Sequence, residues 1–182
     1  MFEGTKVTLR SLELSDLDAI TESWNTLEFR MNTGSAIPQS KNDLQEFIIN
    51  SWDLRKNEKG YIFAIENKSS KEFLGNCSLF VINKNARSAN LGVFIYKKEN
   101  WNKGFGTDAM KVLLKIGFNH LNFHRIELGV YPSNERAIHV YKKIGFQEVG
   151  RKRENRYMNG NYHDEILMDI LQREWFEKIN NV

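Results

Sequence analysis

Cysteine is almost absent from the 182-residue chain, which carries only Cys77. A single thiol can build neither an internal disulfide framework nor a cysteine-rich zinc site, and it suits a reducing compartment. Cys77 lies in a strand-like run and reads as an ordinary buried thiol. Proline is nearly as scarce, at two residues, and no low-complexity stretch or internal repeat interrupts the chain. Nothing therefore marks a linker, and one domain over residues 1–182 is expected. Long apolar runs are missing too, since none approaches the roughly 18 residues of a membrane span. The first residues, broken by Glu3 and Lys6, do not read as a signal peptide, so a cytoplasmic protein without a membrane partner is expected. Nor does one sign of charge dominate, the formal net charge being +3. The densest basic run, Arg151-Lys152-Arg153, suits a solvated strand edge or a substrate-side rim better than a nucleic-acid surface. The histidines lack the convergent spacing of metal ligands: His120 and His124 straddle a helix end, His139 lies among Lys and Arg, and His163 sits near a turn.

What is present is 41% hydrophobic residues, enough for a sizeable core, and a mild positive balance compatible with an anionic cofactor. The most informative stretch is Trp101-Asn102-Lys103-Gly104-Phe105-Gly106-Thr107-Asp108-Ala109-Met110. It follows the apolar run Leu91 to Tyr96 and precedes Met110, Leu113, Leu114, Gly117 and Phe118, which recur at helical spacing. Strand, glycine-bearing loop and helix follow in that order. Glycines there let backbone approach a ligand, and the free N–H groups at the helix start suit a phosphate. On this stretch alone, plain turn glycines explain the pattern as well. A dinucleotide or Walker loop fits poorly, because the third glycine and the Gly-Lys-Ser/Thr are missing.

The second stretch runs Asn134-Glu135-Arg136-Ala137-Ile138-His139-Val140-Tyr141-Lys142-Lys143-Ile144-Gly145-Phe146. Together with the glycine loop it resembles the GNAT superfamily of acetyl-CoA-dependent N-acetyltransferases, whose paired patterns are (Gln/Arg)-x-x-Gly-x-(Gly/Ala) and Asn-x-x-Ala-x-x-x-Tyr-x-x-x-Gly-Phe. Trp101 replaces the usual Gln or Arg. An aromatic residue there, with the segment Tyr157-Met158-Asn159-Gly160-Asn161-Tyr162-His163-Asp164, resembles the branch of ribosomal-protein N-terminal and spermidine N-acetyltransferases. The resemblance runs from Leu9-Arg10 to about Leu171.

The periodicity along the chain agrees. Val7, Leu9 and Leu12 make a first strand; Ser15 with Asp18 starts a helix carrying Leu17, Ile20 and Trp24; Ser40 with Asp43 starts another carrying Leu44, Phe47, Ile48 and Trp52 inward. Strands follow at Tyr61–Glu66, Phe73–Ile82 and Ala89–Tyr96, joined by short polar turns that imply an antiparallel meander. After the loop come a helix to about Asn119, a strand Arg125–Tyr131, a helix Asn134–Ile144, and an antiparallel pair, Phe146–Asn155 and Tyr162–Leu171, around Asn159-Gly160. Helices between strands imply parallel crossovers. The expected fold is α/β (α+β), with a mixed, mostly antiparallel central sheet of about seven strands flanked by about four helices. The aromatic tail Arg173 to Lys178, with Trp175, Phe176 and Ile179, suits core packing better than an interface, and leaves a homodimer open.

The resemblance implies roles for residues. Backbone groups of Phe94, Ile95 and Tyr96 would hold pantetheine like an added strand and polarise the thioester carbonyl. The amides of Trp101, Asn102, Lys103, Gly104, Phe105, Gly106 and Thr107 would hold the pyrophosphate. Asn134 and Ala137 would meet the cofactor, and Tyr141 would stand beside its sulfur as general acid. Seven residues separate Asn134 from Tyr141, which puts both on one helix face, where core packing of the tyrosine is the plain alternative. Glu28 and Asn90 would face the acceptor, one wall of whose site is made by the first two helices and the connection Thr33-Gly34-Ser35-Ala36-Ile37-Pro38.

No general base can be assigned from the sequence. The three places where relatives carry a carboxylate hold Asn90, Gly129 and Arg156. Glu127, Glu148, Glu154 and Asp164 could act through water, but read first as surface or structural charges. An amine with pKa near 10 needs about 4 to 5 kcal/mol to be supplied neutral at pH 7, whereas an α-amine near 8 needs only about 1 kcal/mol. Weak base machinery thus suits an α-amine. A polycation would also want carboxylates near the connection, where only Glu28 and the more distant Asp43 and Glu46 stand. The expected activity is direct acetyl transfer from acetyl-CoA, without a metal or a covalent enzyme intermediate, to a protein or peptide α-amine of the ribosomal-protein type. The alternatives are a spermidine or other small-amine acetyltransferase, and a non-catalytic acetyl-CoA-binding module that lost its base.

Overall fold

The computed structural model of the protein describes residues 2–26, 29–30, 37–158 and 160–180. Apolar alternation makes β1 (Val7–Ser11), with Val7 and Leu9 buried. Helix α1 (Leu17–Trp24) follows a single 3-10 turn at Leu14–Asp16. The turn is fastened by Asp16 and not, as the sequence suggested, by Ser15 and Asp18. Asp16 Oδ2 accepts from the Glu13 N–H at 3.0 Å, and both its oxygens take guanidinium N–H groups of Arg10 at 2.8 and 2.7 Å. A buried carboxylate demands such a partner, and Arg10 supplies it. Asp18 instead pairs at the surface with Lys41.

Helix α2 (Lys41–Lys56) starts as expected, with Ser40 Oγ accepting from Asp43 N–H and Asp43 accepting from Ser40 N–H. Trp52 does not turn inward. It lies 36% exposed, and its indole N–H donates to Leu12 O at 2.8 Å. The chain continues through β2 (Gly60–Asn67), β3 (Phe73–Asn83), β4 (Ser88–Ile95) and α3 (Phe105–Lys115), which runs on as a π-helical turn at Ile116–His120. Then follow β5 (Arg125–Val130), α4 (Glu135–Ile144), β6 (Gln147–Met158), β7 (Asn161–Leu171) and α5 (Gln172–Asn180).

The seven strands order as β1-β2-β3-β4-β5-β7-β6. Pairs β1–β2, β2–β3, β5–β7 and β6–β7 are antiparallel, and β4–β5 is parallel over Ser88–Arg125, Ala89–Ile126 and Asn90–Glu127. The sheet is mixed, as expected, but β6 does not lie beside β5. Strand β7 occupies the place between them, the hairpin through Gly160 (φ 82°) folding back inward. Asn159 of that turn lies outside the described residues. The fifth helix among the described residues is α5, the stretch read from sequence as a tail.

The chain forms two compact units, Met1–Phe80 with Gly92–Leu113, and Val81–Leu91 with Leu114–Val182. In the first, Leu12, Leu17, Ile20, Leu44, Ile48 and Ile62 pack with a group of aromatic rings. Trp24, Phe29, Phe47, Phe73, Phe94 and Tyr96 meet there at centroid separations from 4.8 to 6.0 Å. In the second, Ile126, Leu128 and Val130 of β5 and Ile166, Met168 and Ile170 of β7 line the buried sheet face. Trp175 of α5 packs on Phe118 at 6.2 Å, Gln172 Nε2 donates to Phe118 O, and Lys178 Nζ donates to Lys143 O. The aromatic tail thus packs on its own unit.

Candidate active site

In the first unit, α3 rises directly out of the glycine loop. Two loop residues take positive φ, Asn102 at 58° and Gly104 at 85°. Asn is among the few side-chain-bearing residues at ease there, and glycine carries no penalty. Gly106 is not under that demand. A Cβ on it would stand 3.6 Å from Ile95 Cγ1, an ordinary contact, so the position accepts glycine or alanine alike. The amides of Phe105, Gly106 and Thr107 occupy the first turn of α3, ahead of any intrahelical acceptor, where free N–H groups and the positive helix end suit an anion.

Trp101 has a structural task in this loop. Its indole Nε1 donates to Ile95 O at 2.8 Å, and its amide donates to Lys98 O at 2.9 Å. It pins the loop to the end of β4, and its amide is already engaged. Tyr96 is likewise engaged: its N–H donates to Leu74 O at 3.0 Å and its hydroxyl to Asn76 Oδ1 at 2.7 Å, in surroundings whose burial pushes the phenol pKa up. The Phe94 carbonyl rests against Gly75, whose missing side chain leaves room for it. Phe94 and Ile95 are half-buried at the strand end.

Two residues that the sequence did not single out brace the loop. The Asp108 carboxylate accepts from the N–H groups of Thr5, Lys6 and Val7 at 3.2, 2.7 and 3.0 Å. Lys6 Nζ donates to Lys103 O at 2.6 Å and would lie 3.4 Å from a Cβ on Gly104. An acid in the first turn after a glycine loop is a signal that could have been read, whereas nothing local marks Lys6. Its ammonium adds positive charge where a pyrophosphate would lie, so cradle and charge both fit that group.

In the second unit, Asn134 caps α4. Its Oδ1 accepts from the Ala137 N–H at 3.2 Å, so the two motif residues bond to each other. Gly145, at φ 125°, ends the helix. Tyr141 is two turns beyond Asn134, its ring 6.0 Å from Phe146, and burial pushes its phenol up to about 12 against the opposing charge of Arg136. Asn90 is half-buried and pairs in register with Glu127. Arg156 donates to Tyr131 Oη at 2.6 Å with its guanidinium 4.7 Å from that ring, so no carboxylate function is possible there. Glu28 lies outside the described residues, as do residues 33–36 of the connection.

Residues 6–147 match the Acetyltransferase (GNAT) domain family. The chain belongs to the GNAT acetyltransferases. The Spermidine N(1)-acetyltransferase of Vibrio cholerae (serotype O1, strain ATCC 39315 / El Tor Inaba N16961) is 31% identical over 175 residues, covering 96% of this chain and 98% of its own. The protein named "Putative ribosomal N-acetyltransferase YdaF" of Bacillus subtilis (strain 168) is 29% identical over 179 residues, 93% of each chain. Among solved structures, the spermidine N-acetyltransferase from Vibrio cholerae in complex with CoA and spermine aligns with a TM-score of 0.85 at 30% identity, over 94% of this chain and 99% of that one. The protein is an acetyl-CoA-dependent N-acetyltransferase, with acetyl-CoA as co-substrate.

Within this acetyltransferase Cys77 is fully buried, and desolvation pushes its thiol pKa up, so it is held as an unreactive thiol. Among the described residues no His, Cys, Asp and Glu side chains gather as a metal site, and no helix is long and apolar enough to cross a membrane.

Proposed function

We propose that this acetyltransferase acetylates the α-amino group of a protein or peptide by direct attack on acetyl-CoA, with Tyr141 as proton donor to the departing sulfur. The observation that carries the choice of acceptor is the pairing of carboxylates in the first unit. Asp16 is bound by Arg10, Asp18 by Lys41 at 2.7 Å, and Glu22 by Lys97 at 3.6 Å, while Asp43 is engaged in the cap of α2. Exposed pairs of this kind contribute little stability. They do set cations beside the acids that a polyamine would need, whereas an uncharged α-amine on a peptide needs no such acids.

In this reading the amides of α3's first turn, with the loop from Asn102 to Gly104 and Lys6, hold the pyrophosphate, and Trp101 pins that loop. Backbone groups of Phe94 and Ile95 in β4 and of Tyr96 just after it align pantetheine, Asn134 meets the cofactor, and Asn90 faces the acceptor. Buried Cys77 takes no part. A polyamine acceptor is the second reading, favoured by the likeness to the Vibrio cholerae enzyme whose structure holds spermine.

The test is thiol release from acetyl-CoA with spermidine, an aminoglycoside, and short peptides bearing a free N-terminal Ala or Ser, against N-acetylated peptides. Turnover of free but not blocked peptides is expected. Turnover of spermidine alone would replace the peptide reading by the polyamine one.

A further inference from the structure

The amino-terminal turn is tied to the glycine loop by residues far apart in sequence. Gly4 N–H donates to Val7 O and Leu9 N–H to Phe2 O, both at 2.8 Å, so the chain folds back on itself as it enters β1. The bend turns the N–H groups of Thr5, Lys6 and Val7 to one side, where the Asp108 carboxylate accepts from them at 3.2, 2.7 and 3.0 Å. A Cβ on Gly4 would run into Asp108 Oδ2 and would stand 2.7 Å from Cγ, so the carboxylate lies directly on the Gly4 backbone. Lys68 closes the turn from the other side. Its N–H donates to Lys6 O at 2.9 Å, and its Nζ donates to Gly4 O at 3.2 Å and pairs with Glu3 at 3.0 Å.

A carboxylate in the first turn of a helix is favoured by the helix dipole alone, and a capping side chain accepts from N–H groups of its own helix. Asp108 does not. Its three donors lie 101 to 103 positions earlier in the chain, which leaves the first-turn amides of α3 for another acceptor. Those donors also offset a charge that would otherwise oppose an anion at this helix end. What the turn brings to the loop is a cation. Lys6 Nζ donates to Lys103 O at 2.6 Å and would lie 3.4 Å from a Cβ on Gly104. Among the described residues no carboxylate pairs with that ammonium, and its bond to a neutral carbonyl leaves the charge uncompensated and two of its N–H groups over.

We propose that Asp108 is a positioning residue for acetyl-CoA: it gathers the amides of residues 5–7 and so holds the Lys6 ammonium at Gly104, against the pyrophosphate. The assignment rests on the placement of the pyrophosphate in the reading above and adds the residue that sets the cation there. Asp108 acts through Lys6 and not by touching the cofactor. The backbone of Lys6 is fixed on both sides, its N–H by Asp108 and its carbonyl by Lys68. A cation fixed in this way loses less freedom when it meets its ligand than one on a loose segment.

Acetyl-CoA affinity of the full-length protein, measured by calorimetry without an acceptor, tests this in wild type, K6M, K6R, D108N and K6M/D108N. K6M keeps the residue-6 N–H on Asp108 and removes only the ammonium. It should weaken acetyl-CoA about tenfold and flatten the dependence of affinity on salt, while K6R stays within about threefold of wild type. D108N should weaken binding about as much as K6M, and the double variant little more than either, because both changes remove the same contact. Independent losses would multiply to about 100-fold, and that result would mark Asp108 as a fold residue with no share in placing Lys6. Wild-type affinity in K6M or in D108N also overturns the assignment, and K6M decides even where D108N does not fold. G104A tests the placement of the pyrophosphate itself, since it strains the loop and keeps Lys6. If G104A weakens acetyl-CoA and K6M does not, the placement stands and the assignment alone fails. If neither does, the placement fails and the assignment falls with it.

Discussion

At the residue scale, the two loop glycines look equivalent in sequence and are not. Gly104 sits at φ 85°, where an alanine is strained by about 1 kcal/mol, while Gly106 has room for a methyl group. G104A should therefore weaken acetyl-CoA binding several-fold, and G106A should change it by less than twofold, as read by calorimetric titration. Equal losses in both would mean that space and not backbone conformation governs the loop. Tyr141 gives a second residue-level expectation. Y141F should retain acetyl-CoA binding and lose about 100-fold in kcat. Burial raises the Tyr141 pKa from 10 to about 12, so the neutral donor form persists below pH 10 and is lost only as pH rises through 12. The same sign applies to stability, which draws nothing from this group's titration below pH 10 and declines between 10 and 12. A kcat profile measured to pH 10 should show no descending limb; a limb near pH 9 that vanishes in Y141F would contradict the raised pKa, while a limb that persists in Y141F would belong to another group.

At the element scale, the strand, loop and helix around residues 91–118 were legible because their signals are local: apolar alternation, then glycine, then helical spacing. The role of Trp101 was not, since its partner Ile95 O is a backbone atom of the preceding strand end and leaves no trace in composition. W101F keeps the ring and removes that hydrogen bond, which is worth about 0.5 to 1.5 kcal/mol. KM for acetyl-CoA should rise roughly twofold to tenfold with kcat little changed; a fall in kcat at unchanged KM would show that Trp101 serves the chemistry and not the loop. The start of α1 was misplaced for the complementary reason. Ser15 and Asp18 have cap spacing, but Asp16 has the buried partner Arg10, and tertiary pairing overrode the local pattern.

At the scale of the whole molecule, the mixed sheet of seven strands was readable from the alternation of helical and strand-like runs, while the last helix was not, because Trp175, Phe176 and Ile179 suit either a core or an interface. The structure buries Trp175 and leaves Ile179 44% exposed, and the buried ring has one unusual feature. Trp175 is 6% exposed and its indole Nε1 has no hydrogen-bond partner among the described residues. Its contribution must therefore come from packing on Phe118 and its surroundings, offset by a desolvated donor. W175A opens a cavity and should lower stability by about 3 to 5 kcal/mol. W175F removes some packing volume but also the unpartnered N–H, so the loss should be well under half as large. Urea unfolding of the three proteins, followed by far-ultraviolet circular dichroism, separates these outcomes. If W175F is as damaging as W175A, then Nε1 must have an acceptor in solution, and the orphaned donor is not a property of the folded protein.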